Sequence, residues 1–331
     1  MLKKLLFTTF IAATFTAQAT DPSSADQPPA TQGVWTPPAG LTQERIWPGA
    51  APDMPQGNKA AEVMFDVKKV PGRYYTGIAE VTVPTMTVFK PVGENTRAAI
   101  VVFPGGGFQL LAIDLEGTEI CKWIASKGMT CVLLKYRVPK SNHYWDQEER
   151  RNITPAVPFA LQDAQRTIRL VRFNSDQLDI DPSRIGVLGM SAGGYLVAQT
   201  SNIPEAAYSP ADEADSLSSL PNFAIALYPG HLCRSGATLD PSIKVGAQTP
   251  PTFLLAAWDD PTNKICNTTV YAHALASAGV PAEVHVFATG GHAFGLRHGE
   301  VPIASWPSLV EAWLKAISVL AAPDQDPPGG G

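Results

Sequence analysis

Short apolar runs alternate with amphipathic stretches along most of the chain. Runs at 85–89, 98–103, 130–136, 184–188, 223–227, 252–257 and 282–287 predict strands, with one more near 63–70. Several lack any polar alternation, as expected of strands covered on both faces. Helical spacing predicts helices over 115–126, 159–174, 192–201, 268–278 and 308–320. In the second of these, Leu161, Ala164, Ile168, Leu170 and Val171 make one stripe, so Arg166 and Arg169 must face solvent or reach a carboxylate. Gly128 and Gly279 sit just past two helices, where a left-handed C-cap residue is expected. Strand and helix in alternation give an α/β protein with a mostly parallel central sheet and helices on both faces, in a single domain over 43–321.

The two ends read differently. Lys3 and Lys4, an apolar run over 5–15 and Ala17-Gln18-Ala19 form the three parts of a signal peptide over 1–19. A membrane anchor needs about 20 apolar residues; this run is shorter and broken by threonines. Cleavage near Ala19 implies a secreted or periplasmic protein with no membrane attachment afterwards, and no cysteine follows to accept a lipid. Residues 20–42 are rich in Pro, Ser, Ala and Gln and are expected to be a flexible leader; 322–331 are expected to be a disordered tail. The segment 141–157, with His143, Tyr144 and Trp145, fits neither period and reads as a surface excursion, either a substrate wall or a solvated loop.

The net charge of −5 gives no electrostatic footprint for nucleic acid or anionic membranes; oligomeric state stays open. Four cysteines stand at 121, 131, 233 and 266 without the C-x-x-C spacing of a zinc ribbon, so no metal is expected. Export permits disulfides. Cys233 and Cys266 each follow a strand on one edge of the sheet and are the favoured pair. Cys121 and Cys131, a helix and a buried strand position, are expected to be free thiols.

The chemistry centres on Gly189-Met190-Ser191-Ala192-Gly193, between a predicted strand and a predicted helix. Such an elbow projects a serine hydroxyl above the sheet, and the helix N-terminus favours a developing oxyanion. The alternative is a glycine-rich turn whose serine only caps the helix. A serine nucleophile needs a base. His292, in Gly290-Gly291-His292-Ala293-Phe294-Gly295 after the last strand, suits that role; His231 is its rival, while His273, His285 and His298 read as helix, strand and surface residues. The strand 252–257 ends in Trp258-Asp259-Asp260-Pro261 and supplies the carboxylate that would orient the histidine. Asp260 is preferred over Asp259 because Pro261 holds it extended. The strand 98–103 runs into Gly105-Gly106-Gly107, and the N–H groups of Gly106, Gly107 and Ala192 are assigned to an oxyanion hole. A phosphate loop would need a following Lys-Ser/Thr pair, which is absent, so no cofactor is expected.

FPGGGF, Asp114-Leu115-Glu116-Gly117, LLKYRVP, DAQRTIRLVR, RIGVLGMSAGGYL, PPTFLLAAWDDP and GVPAEVHVFATGGHAFGLR, spread over about 80–315, resemble secreted bacterial esterases of the acetyl-xylan/feruloyl type, relatives of the hormone-sensitive-lipase-like hydrolases. The resemblance implies an α/β-hydrolase fold, hydrolysis of carboxylic esters, often acetyl groups on plant polysaccharide, and Asp260 as the acid. It also exposes a departure: the lipase-like relatives carry histidine where Pro104 stands. The expectation is a metal-independent Ser191–His292–Asp260 serine esterase acting on a small-molecule or polysaccharide ester, acetyl before feruloyl. A feruloyl or general carboxylesterase is the alternative within that class. A non-catalytic carbohydrate-binding protein on the same fold is the alternative from another.

Overall fold

The computed structural model describes residues 31–54, 61–70, 73–139, 158–297 and 299–320. The signal segment, residues 20–30, the 141–157 excursion, His298 and the 322–331 tail lie outside them. Within them the apolar runs become one eight-stranded sheet. From edge to edge its strands are Ala282–Phe287, Thr252–Ala257, Phe223–Leu227, Ile185–Met190, Ala99–Phe103, Thr130–Lys135, Thr85–Phe89 and Glu44–Arg45. The first six are parallel and the last two join antiparallel. Every residue of the four strands 99–103, 130–135, 185–190 and 223–227 is buried, which is why their sequences carry no alternation. The edge strand Ala282–Phe287 alternates exposed and half-buried positions instead.

Helices cover both faces. Glu119–Ser126 lies beside Trp306–Ala316, with the Trp123 and Trp306 rings edge to face at 5.1 Å. Pro158–Phe173 packs against Ala192–Asn202.

Three sequence expectations need correction. The leader does not stay free to residue 42: Thr31–Gln32 pairs antiparallel with Val63 and Met64, and Trp35 is buried. One tryptophan supplies apolar area that a Pro- and Ala-rich composition conceals. A second sheet, Thr31–Gln32, Val63–Val70, Arg73–Ala79 and Leu110–Ala112, stands apart from the first, and only its 63–70 strand was expected. Its strand Leu110–Ala112 begins after Phe108 and Gln109, close behind the three glycines, and pairs with Gly77–Ala79, so the sheet is fastened to the rim of the site. Finally, Cys121 and Cys131 are not free thiols. They form a disulfide across a Cα–Cα distance of 5.2 Å, because the helix turns at Gly128 straight into the strand it covers. Cys233 and Cys266 form the second disulfide.

Of Arg166 and Arg169 on the second helix, Arg166 reaches carboxylates, while Arg169 donates to the Leu217 carbonyl and the Tyr208 hydroxyl at 2.9 and 2.8 Å. Arg166 is buried, donates through Nε to the Ile46 carbonyl at 2.9 Å, and pairs with Asp212 and, at 3.0 Å, with Asp215. Hydrogen bonding to Arg166 holds the Asp212 carboxyl below its ordinary pKa. Asp215 is depressed too, because the bonds from Tyr208, the Ala211 amide and Arg166 outweigh its burial. Depressed carboxylates stabilise the fold above the unfolded aspartate pKa of about 3.9 and lose that contribution as pH falls through their folded values. Arg166→Met strands the buried Asp215, so it should cost about 3–5 kcal/mol in urea unfolding at pH 7. The gap from wild type should narrow below about pH 4, where the carboxylates protonate. A gap that widened on acidification would contradict this reading.

Candidate active site

Ser191 stands between Ile185–Met190 and Ala192–Asn202 with φ +55° and ψ −117°, a conformation that costs free energy for any residue with a Cβ. The surrounding backbone holds it there. Ser191 N–H donates to the Leu227 carbonyl on the next strand at 3.1 Å. A Cβ on Gly189 would come within 2.1 Å of the Gly193 carbonyl oxygen, and one on Gly193 within 2.0 Å of the Phe103 carbonyl oxygen. The two glycines of the motif are therefore required by neighbouring main chain, which makes it a tight elbow rather than a serine cap; no side-chain capping bond is made.

The histidine and carboxylate converge on that hydroxyl. Ser191 Oγ lies 3.0 Å from His292 Nε2, and His292 Nδ1 lies 2.6 Å from Asp260 Oδ2. The imidazole is 4% exposed and the carboxylate 0%, so the chain of bonds is shielded from water. Asp260 binds through Oδ2, so the proton is placed on Nδ1 and Nε2 is left to accept the serine hydroxyl. The other oxygen, Oδ1, accepts from the Thr262 and Asn263 amides at 2.7 and 2.9 Å. Asp259 points elsewhere and accepts from Gly291 N–H at 2.8 Å, fixing the backbone next to His292. The histidine loop is held further along by Arg297, which bridges to Glu119 and to Asp114 at 2.8 Å. Trp306 Nε1 adds a 2.8 Å bond to the Gly295 carbonyl.

His231 is not at the serine. It lines the same cavity with its ring against Phe108 and Tyr195, at centroid distances of 5.6 and 5.8 Å. His285 sits on the edge strand, bonded to Glu283 at 2.7 Å and packed against Phe253.

Gly106 and Gly107 have φ +137° and +65° and line the cavity beside Ser191 and His292. A Cβ at Gly106 would come within 2.1 Å of the Leu110 carbonyl oxygen. Gly105 has a different task. Its N–H donates to Glu116 Oε2 at 2.8 Å, so it is committed to holding the loop. Glu116 is 1% exposed, and its other oxygen accepts from Tyr228 O–H at 3.0 Å. Tyr228 sets its ring edge to face on His292 at 5.0 Å, and burial, reinforced by the Glu116 charge, raises its phenol pKa well above the ordinary value. Tyr136 O–H donates to the Pro104 carbonyl at 2.5 Å. Glu116 and Tyr136 thus brace the glycine loop of a chain that has proline at 104. Sequence reading gave neither residue a role: a glutamate at the start of a helix is ordinarily a solvated, dipole-favoured residue, and only the tertiary fold buries this one.

The cavity of about 680 Å³ above Ser191 has a mixed wall, in which Tyr75, Gln109, Asn263, Lys264 and Asn267 stand among apolar groups such as Leu110, Ala112 and Ala293. Tyr75 comes from the second sheet. The Cys233–Cys266 disulfide lies in the wall and ties the loop carrying His231 to the start of the helix Cys266–Ser277.

This architecture is an α/β-hydrolase fold: a serine elbow after a central parallel strand, with acid and histidine following in chain order at the carboxyl ends of later strands. A family model described as an α/β hydrolase fold matches residues 100–247. Among solved structures, the acetyl ester-xyloside bifunctional hydrolase from Caldicellulosiruptor lactoaceticus superposes with a TM-score of 0.66 at 28% identity, covering 85% of this chain and 97% of that one. A thermophilic esterase from Thermogutta terrifontis superposes with a TM-score of 0.60 at 25% identity, covering 75% and 92%. Among curated relatives, an acetylxylan esterase of Xylanibacter ruminicola is 26% identical over 235 residues, 63% of this chain. The chain spans 43% of that relative's length. The resemblance read from the motifs is thereby upheld.

Glu116→Leu would leave the Gly105 N–H and the Tyr228 O–H buried without this acceptor, at about 1–3 kcal/mol each. Urea unfolding of Glu116→Leu, Tyr228→Phe and the double variant should give a coupling of the two sites. Strict additivity would show that the carboxylate does not join them.

Proposed function

We propose that the protein is a secreted serine esterase that removes acetyl groups from carbohydrate. The observation that carries the reading is the buried, continuous hydrogen-bond chain from Ser191 Oγ through His292 to Asp260. In this reading Ser191 Oγ attacks the ester carbonyl carbon while His292 Nε2 takes the hydroxyl proton. Asp260 holds the imidazole in the accepting tautomer and stabilises the imidazolium. The N–H groups of Gly106, Gly107 and Ala192 receive the oxyanion. Collapse expels the alcohol, which leaves with the proton from His292, and water then releases acetate by the same route. The commitment of Gly105 N–H to Glu116 supports this division of the glycine loop.

The polar members of the wall support a hydroxyl-rich alcohol part: the Tyr75 hydroxyl, the Gln109 amide and the Lys264 ammonium can bond sugar hydroxyls. The acetylxylan esterase and the acetyl ester-xyloside hydrolase are proteins named for that chemistry. Export fits both the N-terminal pattern and the two disulfides, which persist in oxidising compartments. Mass spectrometry of the protein recovered from a bacterial host's periplasm or medium should find a chain starting near Thr20; an uncleaved Met1 terminus there would contradict export by this route.

Ser191→Ala should lower p-nitrophenyl acetate hydrolysis at least about 10³-fold, and a fluorophosphonate should label wild type at Ser191. Equal rates for the two proteins would instead favour a non-catalytic binding role. On a panel of acetylated xylo-oligosaccharides, pectin fragments and feruloyl sugars, deacetylation should exceed ferulate release. The reverse order would move the reading to a feruloyl esterase.

A further inference from the structure

Ser191 Oγ has a second neighbour that the mechanism above leaves unused. Asn263 Nδ2 lies 3.3 Å from it. The same nitrogen lies 2.9 Å from the Tyr228 carbonyl oxygen. A carbonyl oxygen can only accept, so it is the NH₂ end of the amide that faces this corner. One of its hydrogens goes to Tyr228 and the other to Ser191 Oγ. Because the amide nitrogen can only donate, the serine's own proton is left to point at His292 Nε2. Asn263 therefore helps to aim the hydroxyl.

The amide is firmly placed. Its backbone N–H donates to Asp260 Oδ1 at 2.9 Å, so the carboxylate that orients His292 also anchors the turn carrying Asn263. On the far side Gly230 lets the amide in: a Cβ at 230 would come within 3.0 Å of both its nitrogen and its oxygen. The hydrogen bonds thus close a ring from Asp260 Oδ2 through His292 and Ser191 Oγ to the Asn263 side chain, and through its backbone back to Asp260 Oδ1.

We propose that Asn263 is a further catalytic residue, one that transfers its hydrogen bond from Ser191 Oγ to the alcohol-side oxygen of the bound ester. The inference rests on the esterase reading. When Oγ bonds to the acyl carbon, it spends a lone pair and becomes a poorer acceptor. The carbonyl π pair moves to the oxyanion and the serine proton to His292 Nε2. When the intermediate collapses, the carbon–oxygen bond to the alcohol breaks. Its electron pair goes to the alcohol oxygen, which takes the proton from His292. Asn263 keeps its own protons throughout and only donates a hydrogen bond to the oxygen on which charge grows. It lines the cavity with its sequence neighbours Lys264 and Asn267, and the proposal places the departing alcohol against this part of the wall. Such a donor matters for a sugar or alkyl alkoxide, a poor leaving group. It matters little for a nitrophenolate, which carries its charge unaided.

The test compares kcat/KM of wild type, Asn263→Val and Asn263→Asp on acetylated xylo-oligosaccharide and on p-nitrophenyl acetate, with Ser191→Ala as the control. Both esters give the same acetyl-enzyme, so the ratio isolates the acylation step. The variants should lose about ten- to a hundred-fold on the sugar ester and less than about three-fold on the aryl ester. Loss of equal size on both would reduce Asn263 to a prop for the loop, and no loss on either would make it a bystander; each result overturns the proposal. If neither variant folds, wild type alone decides: its kcat/KM across acetate esters of rising alcohol pKa should fall only shallowly, and a steep fall overturns the inference. Hydrolysis that survives Ser191→Ala would sink the esterase reading, and the Asn263 inference with it. An unchanged substrate ratio in a Ser191-dependent enzyme sinks only the latter.

Discussion

Everything at this site depends on how closely main chain approaches main chain around Ser191. A residue with a Cβ holds φ +55° there because the strand before it and the helix after it leave no other path. Gly189 and Gly193 admit the carbonyls of Gly193 and Phe103 at distances no side chain would permit. The strain is small beside the burial of the central strands, whose apolar side chains are withdrawn from water on both faces. The rigid sheet can therefore keep one serine in a sparsely populated conformation and its hydroxyl at the rim.

Parallel strands end on one side of the sheet, and that shared edge brings distant residues together. The glycine loop follows one strand, the elbow the next, Asp260 another and His292 the edge strand. Buried carboxylates then stiffen the loops between them. Asp260 uses both oxygens, one on the imidazole and one on its own turn. Glu116 joins the glycine loop to Tyr228, whose ring lies against His292. Asp163, fully buried, receives Arg137 and Trp47 Nε1. Each is satisfied by several donors, and this is what makes a buried charge tolerable. Two of the motifs that carried the resemblance, LLKYRVP and DAQRTIRLVR, contain this Arg137–Asp163 pair and so serve the framework rather than the chemistry.

Proline at 104 illustrates how a loop's support can change hands. The glycine loop is held by a glutamate eleven residues on and by a tyrosine hydroxyl from the adjacent strand, with no side chain needed at 104 itself. The loop's rigidity is thereby tied to the same Glu116–Tyr228 contact that borders the histidine.

Periodicity alone located the long strands and helices of the main sheet to within a few residues, because burial on both faces writes an unbroken apolar run. Motifs at the ends of those strands marked Ser191, His292 and Asp260, because an elbow, a glycine-flanked loop and a strand end each leave a local trace. The second sheet left less: its 63–70 strand was legible, but Thr31–Gln32 and Leu110–Ala112 are only two and three residues long and pair with strands distant in sequence. The Cys121–Cys131 disulfide depended on how a helix folds back on the next strand. Glu116, Tyr228 and Asn263 look like ordinary helix-start, strand-end and turn residues in sequence. Their importance arises from distances across the molecule, set only when the sheet, the elbow and the loops have packed, since a hydrogen bond depends on where two groups lie in space and not on how far apart they are along the chain.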